Sequence, residues 1–144
     1  MEIRKATPSD NAILAELASR MWSATADELL DEFATLTTSP EAACFLSFDG
    51  EKPIGFAQCQ LRHDYVEGCH SSPVSFLEGI YVDAAHRRDG VARALLYACE
   101  EWARQVGCTE FASDCKIDNL DSLAWHMKNG FSEMGRTIWF AKKL

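Results

Sequence analysis

Arg87-Arg88-Asp89-Gly90-Val91-Ala92 follows the apolar run Phe76-Leu77-Glu78-Gly79-Ile80-Tyr81-Val82 with only a short gap between them. Downstream, Val91, Leu95, Cys99, Trp102 and Val106 recur at spacings of three and four, the period of one helix face. A strand therefore runs into a small-residue turn bearing two arginines, and the turn opens a helix. Such a corner directs unpaired backbone N–H groups and the positive end of the helix dipole at one point in space. A multiply charged phosphate is the natural occupant. Gly90 admits close approach of the backbone, and Ala92 adds little bulk one position into the helix.

Working outward, residues 2–6 read as a first strand. Pro8 sits at the start of a helix reaching Met21, with Ile13, Leu14, Leu17 and Met21 on one face. A second, acidic helix over 25–36 carries Leu29, Leu30, Phe33 and Leu36. Strands over 42–48 and 54–61 flank Asp49-Gly50-Glu51-Lys52, a hairpin turn signal. A polar loop, 63–72, leads into the central strand 73–82 and then the helix 90–106, with Gly107 as its C-terminal cap. Residues 110–114 form a further strand, 119–129 a helix closed by Gly130, and 131–143 one long strand or a bent pair. The order β-α-α-β-β-β-α-β-α-β suits a mixed α/β sheet with helices on both faces, and excludes a sandwich or a bundle.

The 144 residues fit one domain, 1–144, with a proper core. Hydrophobic content of 47% and charged content of 25% are those of a globular protein, and no apolar run approaches the roughly 18 residues that span a bilayer. Met1-Glu2-Ile3-Arg4-Lys5 has no apolar signal core, so a cytoplasmic location is expected. The six cysteines show no Cys-x-x-Cys pair and no zinc spacing. They read as free and mostly buried thiols, with Cys69 the most exposed. His63 and His70 lack a third ligand, so no metal is expected. A net charge of −8 argues against nucleic acid and favours a cationic small molecule, although acidity also serves solubility.

Three groups could carry chemistry. Glu78 lies in an otherwise apolar strand beside Gly79, a glycine that commonly marks a bulge or a close backbone approach. A carboxylate there needs a partner or a function: it could bind an ammonium or take its proton, or it could simply face solvent. Asp114 ends the next strand, where it could face a ligand or begin a turn. His126, four residues before Gly130, could supply a proton or lie idle on a helix surface.

Arg-x-x-Gly-x-Ala after a strand resembles the acetyl-CoA pyrophosphate loop of the GNAT N-acetyltransferases. No Gly-Lys-Ser/Thr follows, as a Walker loop requires, and the third glycine of the dinucleotide fingerprint is missing. The resemblance implies a mostly antiparallel central sheet with a splayed parallel pair. It implies acetyl-CoA held by the main chain of Ile80, Tyr81 and Val82, by the turn Arg87, Arg88, Asp89, Gly90, Val91 and Ala92, and by Asn119, which is equally well placed to cap a helix. Main-chain N–H near Val82 would stabilise the oxyanion. His126 stands where many family members carry a tyrosine proposed to protonate the departing thiolate.

The block from Arg62 to Val82 is similar to one branch of the aminoglycoside 6′-N-acetyltransferases, and the likeness extends through Ala112-Ser113-Asp114 and across essentially the whole chain. It implies acetyl transfer to the 6′-amine of a polycationic aminoglycoside by direct attack in a ternary complex. Glu78 would be the base, Asp114 would position the amine, and His126 would donate the final proton. Trp22 would pack on a sugar ring, and Asp64, Tyr65 and Glu67 would lie in a flap over the substrate. Two other functions stay open: acetylation of polyamines or protein amines, and a non-catalytic acyl-CoA sensor. Members of this type are often homodimers, and the apolar stretch Thr137-Ile138-Trp139-Phe140-Ala141 could pair or swap between chains.

Overall fold

The computed structural model describes residues 1–144. Five strands form one sheet in chain order: β1 (Glu2–Lys5), β2 (Ala42–Asp49), β3 (Lys52–Arg62), β4 (Val74–Val82) and β5 (Phe111–Ser113). The first four pair antiparallel, and β5 joins β4 in parallel. The parallel pairing is short, ending at Leu77 opposite Ser113. Beyond that pair the strands part, and β4 runs on alone on that side through Glu78 to Val82.

Helices cover both faces. α1 (Asn11–Ser19) and α2 (Ala26–Thr38) pack on one side, α3 (Val91–Gln105) on the other, and α4 (Leu120–Lys128) follows β5. β2 shows how the sequence dictates this. Its residues 42–48 are all buried, and they divide by parity: Ala42, Cys44, Leu46 and Phe48 enter the core under α1 and α2. Ala43 and Phe45 enter the core under α3, with Leu95, Cys99 and Trp102. A strand covered on both faces has no reason to alternate polar with apolar residues.

Local chemistry sets the helix ends. The Thr25 hydroxyl accepts from the Glu28 N–H at 3.2 Å, and the Glu28 carboxylate accepts from the Thr25 N–H at 3.3 Å, a reciprocal cap that starts α2. Asp10, 4% exposed, closes the turn before α1 by accepting from Thr7 N–H at 2.8 Å and from both guanidinium nitrogens of Arg4 at 2.8 and 2.9 Å. Arg4, with help from the Thr7 amide, holds the Asp10 carboxyl down at about 2.

Several expectations need correction. α1 stops at Ser19, so Met21 lies outside it and is exposed; Ile13 is only half-buried. Leu30, at the margin of the apolar stripe of α2, and Val106, just past the end of α3, are exposed as well. Cys115, and not Cys69, is the exposed thiol, while Cys44, Cys59, Cys99 and Cys108 are buried. The largest difference is at the end of the chain. Residues 131–143 join no sheet: Ile138, Trp139 and Phe140 are 78%, 90% and 91% exposed. A strand exists only with a partner strand, and within this chain residues 131–143 find none.

Candidate active site

Where β4 and β5 part, a cleft of about 1750 Å³ opens between β4, the start of α3 and α4. Drug-sized pockets run to roughly 1000 Å³, so this one has room for two substrates.

One end of the cleft is built for an anion. Arg88 takes the left-handed backbone conformation (φ 68°), and Gly90 does so too (φ 81°). Two such turns in three residues point successive amides the same way. The N–H groups of Arg88 to Arg93 make no hydrogen bond within the chain; the first helical amide to do so is that of Ala94, to the Gly90 carbonyl at 3.0 Å. Arg87, Arg88, Gly90, Val91, Ala92 and Arg93 all line the cleft, whereas Asp89 does not. The Arg87 guanidinium turns inward and donates to the Val82 carbonyl at 2.9 Å, so it braces the turn against the end of β4. Arg93 binds the Asn129 side chain at 3.0 Å and ties α3 to the end of α4. Ile80, Tyr81 and Val82 line the wall, on the stretch of β4 that β5 leaves unpaired. A pyrophosphate on the turn and an amide-bearing arm along β4 fit these groups.

The other end is acidic and aromatic. β4 carries a bulge here. Gln58 faces Gly79 and Cys59 faces Leu77, which leaves Glu78 as the extra residue. The bulge turns the Glu78 carboxylate into the cleft, about 77% shielded, where Arg62 grips it with two hydrogen bonds of 3.0 and 2.9 Å. The Arg62 guanidinium lies 3.4 Å above the Phe76 ring, so its own position is constrained. Gly79 makes room for Trp22: a Cβ there would stand 2.6 Å from Cζ2 of the indole. Trp22 lines the cleft and is steadied edge-on by Phe56, ring centres 6.0 Å apart. Asp114, the residue after β5, faces the same space. Glu78, Asp114 and Trp22 are thus brought together, and Glu78 lies four residues before Val82, roughly 13 Å along the strand. This separation of acidic from basic groups lets an acidic chain hold a polyanion and a polycation side by side.

His126 also lines the cleft, yet both ring nitrogens are engaged. Nδ1 stands 2.7 Å from the Ser122 carbonyl, and Nε2 stands 2.8 Å from the Ser113 hydroxyl. Sequence reasoning did not single out Ser113; the only hint was its place just before Asp114. Asn119 lines the cleft and caps α4, accepting from the Ser122 N–H at 3.1 Å.

Asp64, Tyr65 and Glu67 do not line the cleft. Their loop is pinned at its far end, where the Glu110 carboxylate accepts from the His70 and Ser71 amides, each at 2.8 Å. Tyr65 is 76% exposed and donates to Glu67 at 3.2 Å. Glu67 and Gly68 lie against Gly135 and Met134, so the chain's last segment packs on this loop. Thr137 and Trp139 of that segment reach the cleft. No three His, Cys, Asp or Glu side chains are grouped as metal ligands would be.

The acetyltransferase (GNAT) family model matches residues 11–131, which is most of the chain. The chain belongs to the GNAT acetyltransferase family. Among curated relatives of this GNAT protein, an aminoglycoside N(6′)-acetyltransferase type 1 of Stenotrophomonas maltophilia is 44% identical, over 99% of this chain and 93% of that one. The crystal structure of the aminoglycoside 6′-N-acetyltransferase AAC(6′)-IG of Acinetobacter haemolyticus matches with a TM-score of 0.93 at 40% identity, covering 100% of this chain and 99% of that one. AAC(6′)-Iy in complex with the bisubstrate analogue CoA-S-monomethyl-acetylneamine matches with a TM-score of 0.93 at 35% identity, covering 99% and 98%. The mixed sheet with one parallel pair and helices on both faces is the fold the GNAT resemblance implied.

Proposed function

We propose that this GNAT enzyme transfers the acetyl group of acetyl-CoA to the 6′-amino group of aminoglycosides, and so confers resistance to them. One observation carries the reading. An amide-rich, arginine-flanked turn and a patch of Glu78, Asp114 and Trp22 share a single cleft along one unpaired strand. The first suits the diphosphate of coenzyme A, and the second suits an aminated sugar ring: carboxylates for the ammonium groups, an indole face for the C–H surface. The full-length similarity to aminoglycoside 6′-acetyltransferases supports the same acceptor.

The chemistry follows from the residues. An ammonium has no lone pair, so it must lose a proton before it attacks. Glu78 receives that proton directly or through water, and Asp114 orients the nitrogen. The amine adds to the thioester carbonyl, with main-chain N–H near Val82 facing the developing oxyanion. Holding both reactants in one cleft provides much of the acceleration, because the thioester is already activated. His126 serves the departing thiolate. The Asp64–Glu67 loop acts as a flap, closing over the acceptor from the position it holds beside Met134.

The enzyme acts as a single-domain chain in the cytoplasm, as a homodimer, without nucleic acid. Dimerisation is supported by the outer edge of β5, which no strand covers, and by the exposed run Ile138, Trp139 and Phe140. No helix is long and apolar enough to cross a membrane.

The test is consumption of the acetyl-CoA thioester with tobramycin or kanamycin, with the acetylated nitrogen located by NMR. Turnover on these drugs with little on spermidine or lysine peptides is the expected result. The reverse preference would move the protein to another acceptor class. Glu78→Gln should keep coenzyme A binding and lose turnover.

A further inference from the structure

The geometry points to Ser113 as a catalytic residue: its hydroxyl, backed by His126, carries a proton from the attacking nitrogen to the departing sulfur. This rests on the acetyl-transfer reading above.

The hydrogen bonds of His126 decide which atom meets the reactants. A carbonyl oxygen can only accept, so at 2.7 Å from Ser122 C=O the Nδ1 atom must be the protonated one. In the neutral ring Nε2 then has no hydrogen and must accept, and the Ser113 hydroxyl, 2.8 Å away, is its donor in preference to the Leu77 carbonyl, which lies 3.5 Å from the same oxygen. With Nδ1 committed to a carbonyl and Nε2 to a hydroxyl, neither nitrogen is free to contact a thiolate. The ring can act only through Ser113. Packing holds it there: Trp125 and Phe131 each meet the imidazole edge-on, with ring centres 5.0 Å away.

Ser113 occupies the right place for that task. It is the last residue of β5 paired with β4, opposite Leu77, and so stands at the fork where the strands part. The next residue on β4 is Glu78 and the first residue beyond β5 is Asp114, the two carboxylates assigned to the acceptor amine. Ser113, Glu78, Asp114 and His126 all line the cleft. While its proton points at His126, no donor within the chain occupies the lone pairs of the serine oxygen.

The step balances without any other reactant. Addition of the neutral amine to the thioester carbonyl forms a C–N bond and leaves a positive nitrogen and a negative oxygen. One N–H proton passes to Ser113 Oγ as the serine's own proton passes to His126 Nε2. The imidazolium so formed keeps its Nδ1–H on the Ser122 carbonyl. The C–S bond then breaks and its electron pair leaves on sulfur. The chain runs backward: Nε2 returns its proton to Oγ, and Oγ delivers one to sulfur. The amide and the free thiol leave, and both side chains regain their starting states.

The experiment uses the whole protein with acetyl-CoA and tobramycin, following loss of the thioester absorbance. Ser113→Ala and His126→Ala should each lower kcat about 10- to 100-fold, at or below the lower end of the usual range for positioned proton transfer because a thiolate leaves readily. KM for both substrates and the affinity for coenzyme A should stay within about twofold of wild type. The double variant should be no slower than the worse single, since the two groups act as one unit. Ser113→Thr, which keeps the hydroxyl, should restore most of the rate. The solvent deuterium isotope effect on kcat should change equally in the two alanine variants, which a packing contact would not produce. A Ser113→Ala enzyme with wild-type kcat overturns the relay, as does a double variant whose loss is the product of the two single losses. Either result, with the wild type still acetylating tobramycin, leaves the acetyl-transfer reading standing; a wild type inert toward every aminoglycoside removes that reading instead.

Discussion

Gly79→Ala isolates the link between the sheet and the acceptor end of the cleft. The new methyl would sit 2.6 Å from Cζ2 and 3.0 Å from Cη2 of Trp22, and 3.1 Å from Cε of Met21. Carbon atoms settle at about 3.5–4.0 Å, so the indole must retreat by about 1 Å. Overpacking of this kind costs about 1–3 kcal/mol, and Trp22, only half-buried, can yield, which places it near 2. Loss of glycine's freedom in the unfolded chain returns about 0.4–1 kcal/mol. The net destabilisation is about 1–1.5 kcal/mol, or a melting temperature lower by about 3–5 °C for a chain of this size. Moving the indole should also raise KM for tobramycin about fivefold, near 1 kcal/mol of aromatic contact, with KM for acetyl-CoA unchanged. The assay is thermal unfolding beside steady-state kinetics, in wild-type and Trp22→Phe backgrounds. The smaller ring should remove most of the penalty. A Gly79→Ala enzyme with unaltered melting temperature and KM, or an equal penalty in the Trp22→Phe background, would refute the reasoning. Gly55→Ala is the contrast: its methyl would meet the Tyr81 carbonyl at 2.6 Å, and backbone in mid-sheet cannot step aside, so the loss should be larger.

Other outcomes follow from single contacts. Arg62→Gln should lower both KM for tobramycin and kcat: the cleft becomes more negative, but Glu78 loses the fork that orients it, whereas Arg62→Lys should restore KM more than kcat. Asp10 is held at about 2 against an ordinary 3.8, so it contributes on the order of 2 kcal/mol. Because its pKa is lowered on folding, that stability is fully present above about pH 5 and is lost as the pH falls through 4 toward 2. Asp10→Asn should therefore flatten the acid limb of a stability-against-pH curve, and an unchanged limb would contradict the assignment. Maleimide should label Cys115 first and leave Cys44, Cys59, Cys99 and Cys108 untouched in the native state, with Cys44, pushed by burial up to about 12, inert even in mild alkali. Cys115 lines the cleft, so coenzyme A should slow its labelling, which mass spectrometry of the modified peptide will detect.

The β4–turn–α3 unit was legible in the chain because its signals are local. An apolar run, a turn with glycine and a helical period sit side by side, and each depends on neighbours within a few residues. Asp114 was legible as a candidate on the same terms, from its place at a strand end, whereas Trp22 came only from the family likeness. Glu78 was legible as an anomaly, but its direction was not. The bulge that turns it depends on the register against β3, and the Arg62 fork joins residues 16 apart. The Ser113–His126 bond was invisible for the same reason, since it joins the end of a strand to a helix and depends on their packing. The last segment misled for a different reason. Its apolar run Ile138-Trp139-Phe140-Ala141 reads as a strand, but pairing is a property of two strands, and no local pattern names the second.

The separation of charge along the cleft has a consequence for the order of encounter. Around a chain of net charge −8, dissolved salt should act on the two reactants in opposite directions. Raising ionic strength weakens the pull on the drug and relieves the repulsion of the nucleotide thioester. The enzyme should therefore have an optimum salt concentration, below which capture of the donor limits its speed and above which capture of the antibiotic does.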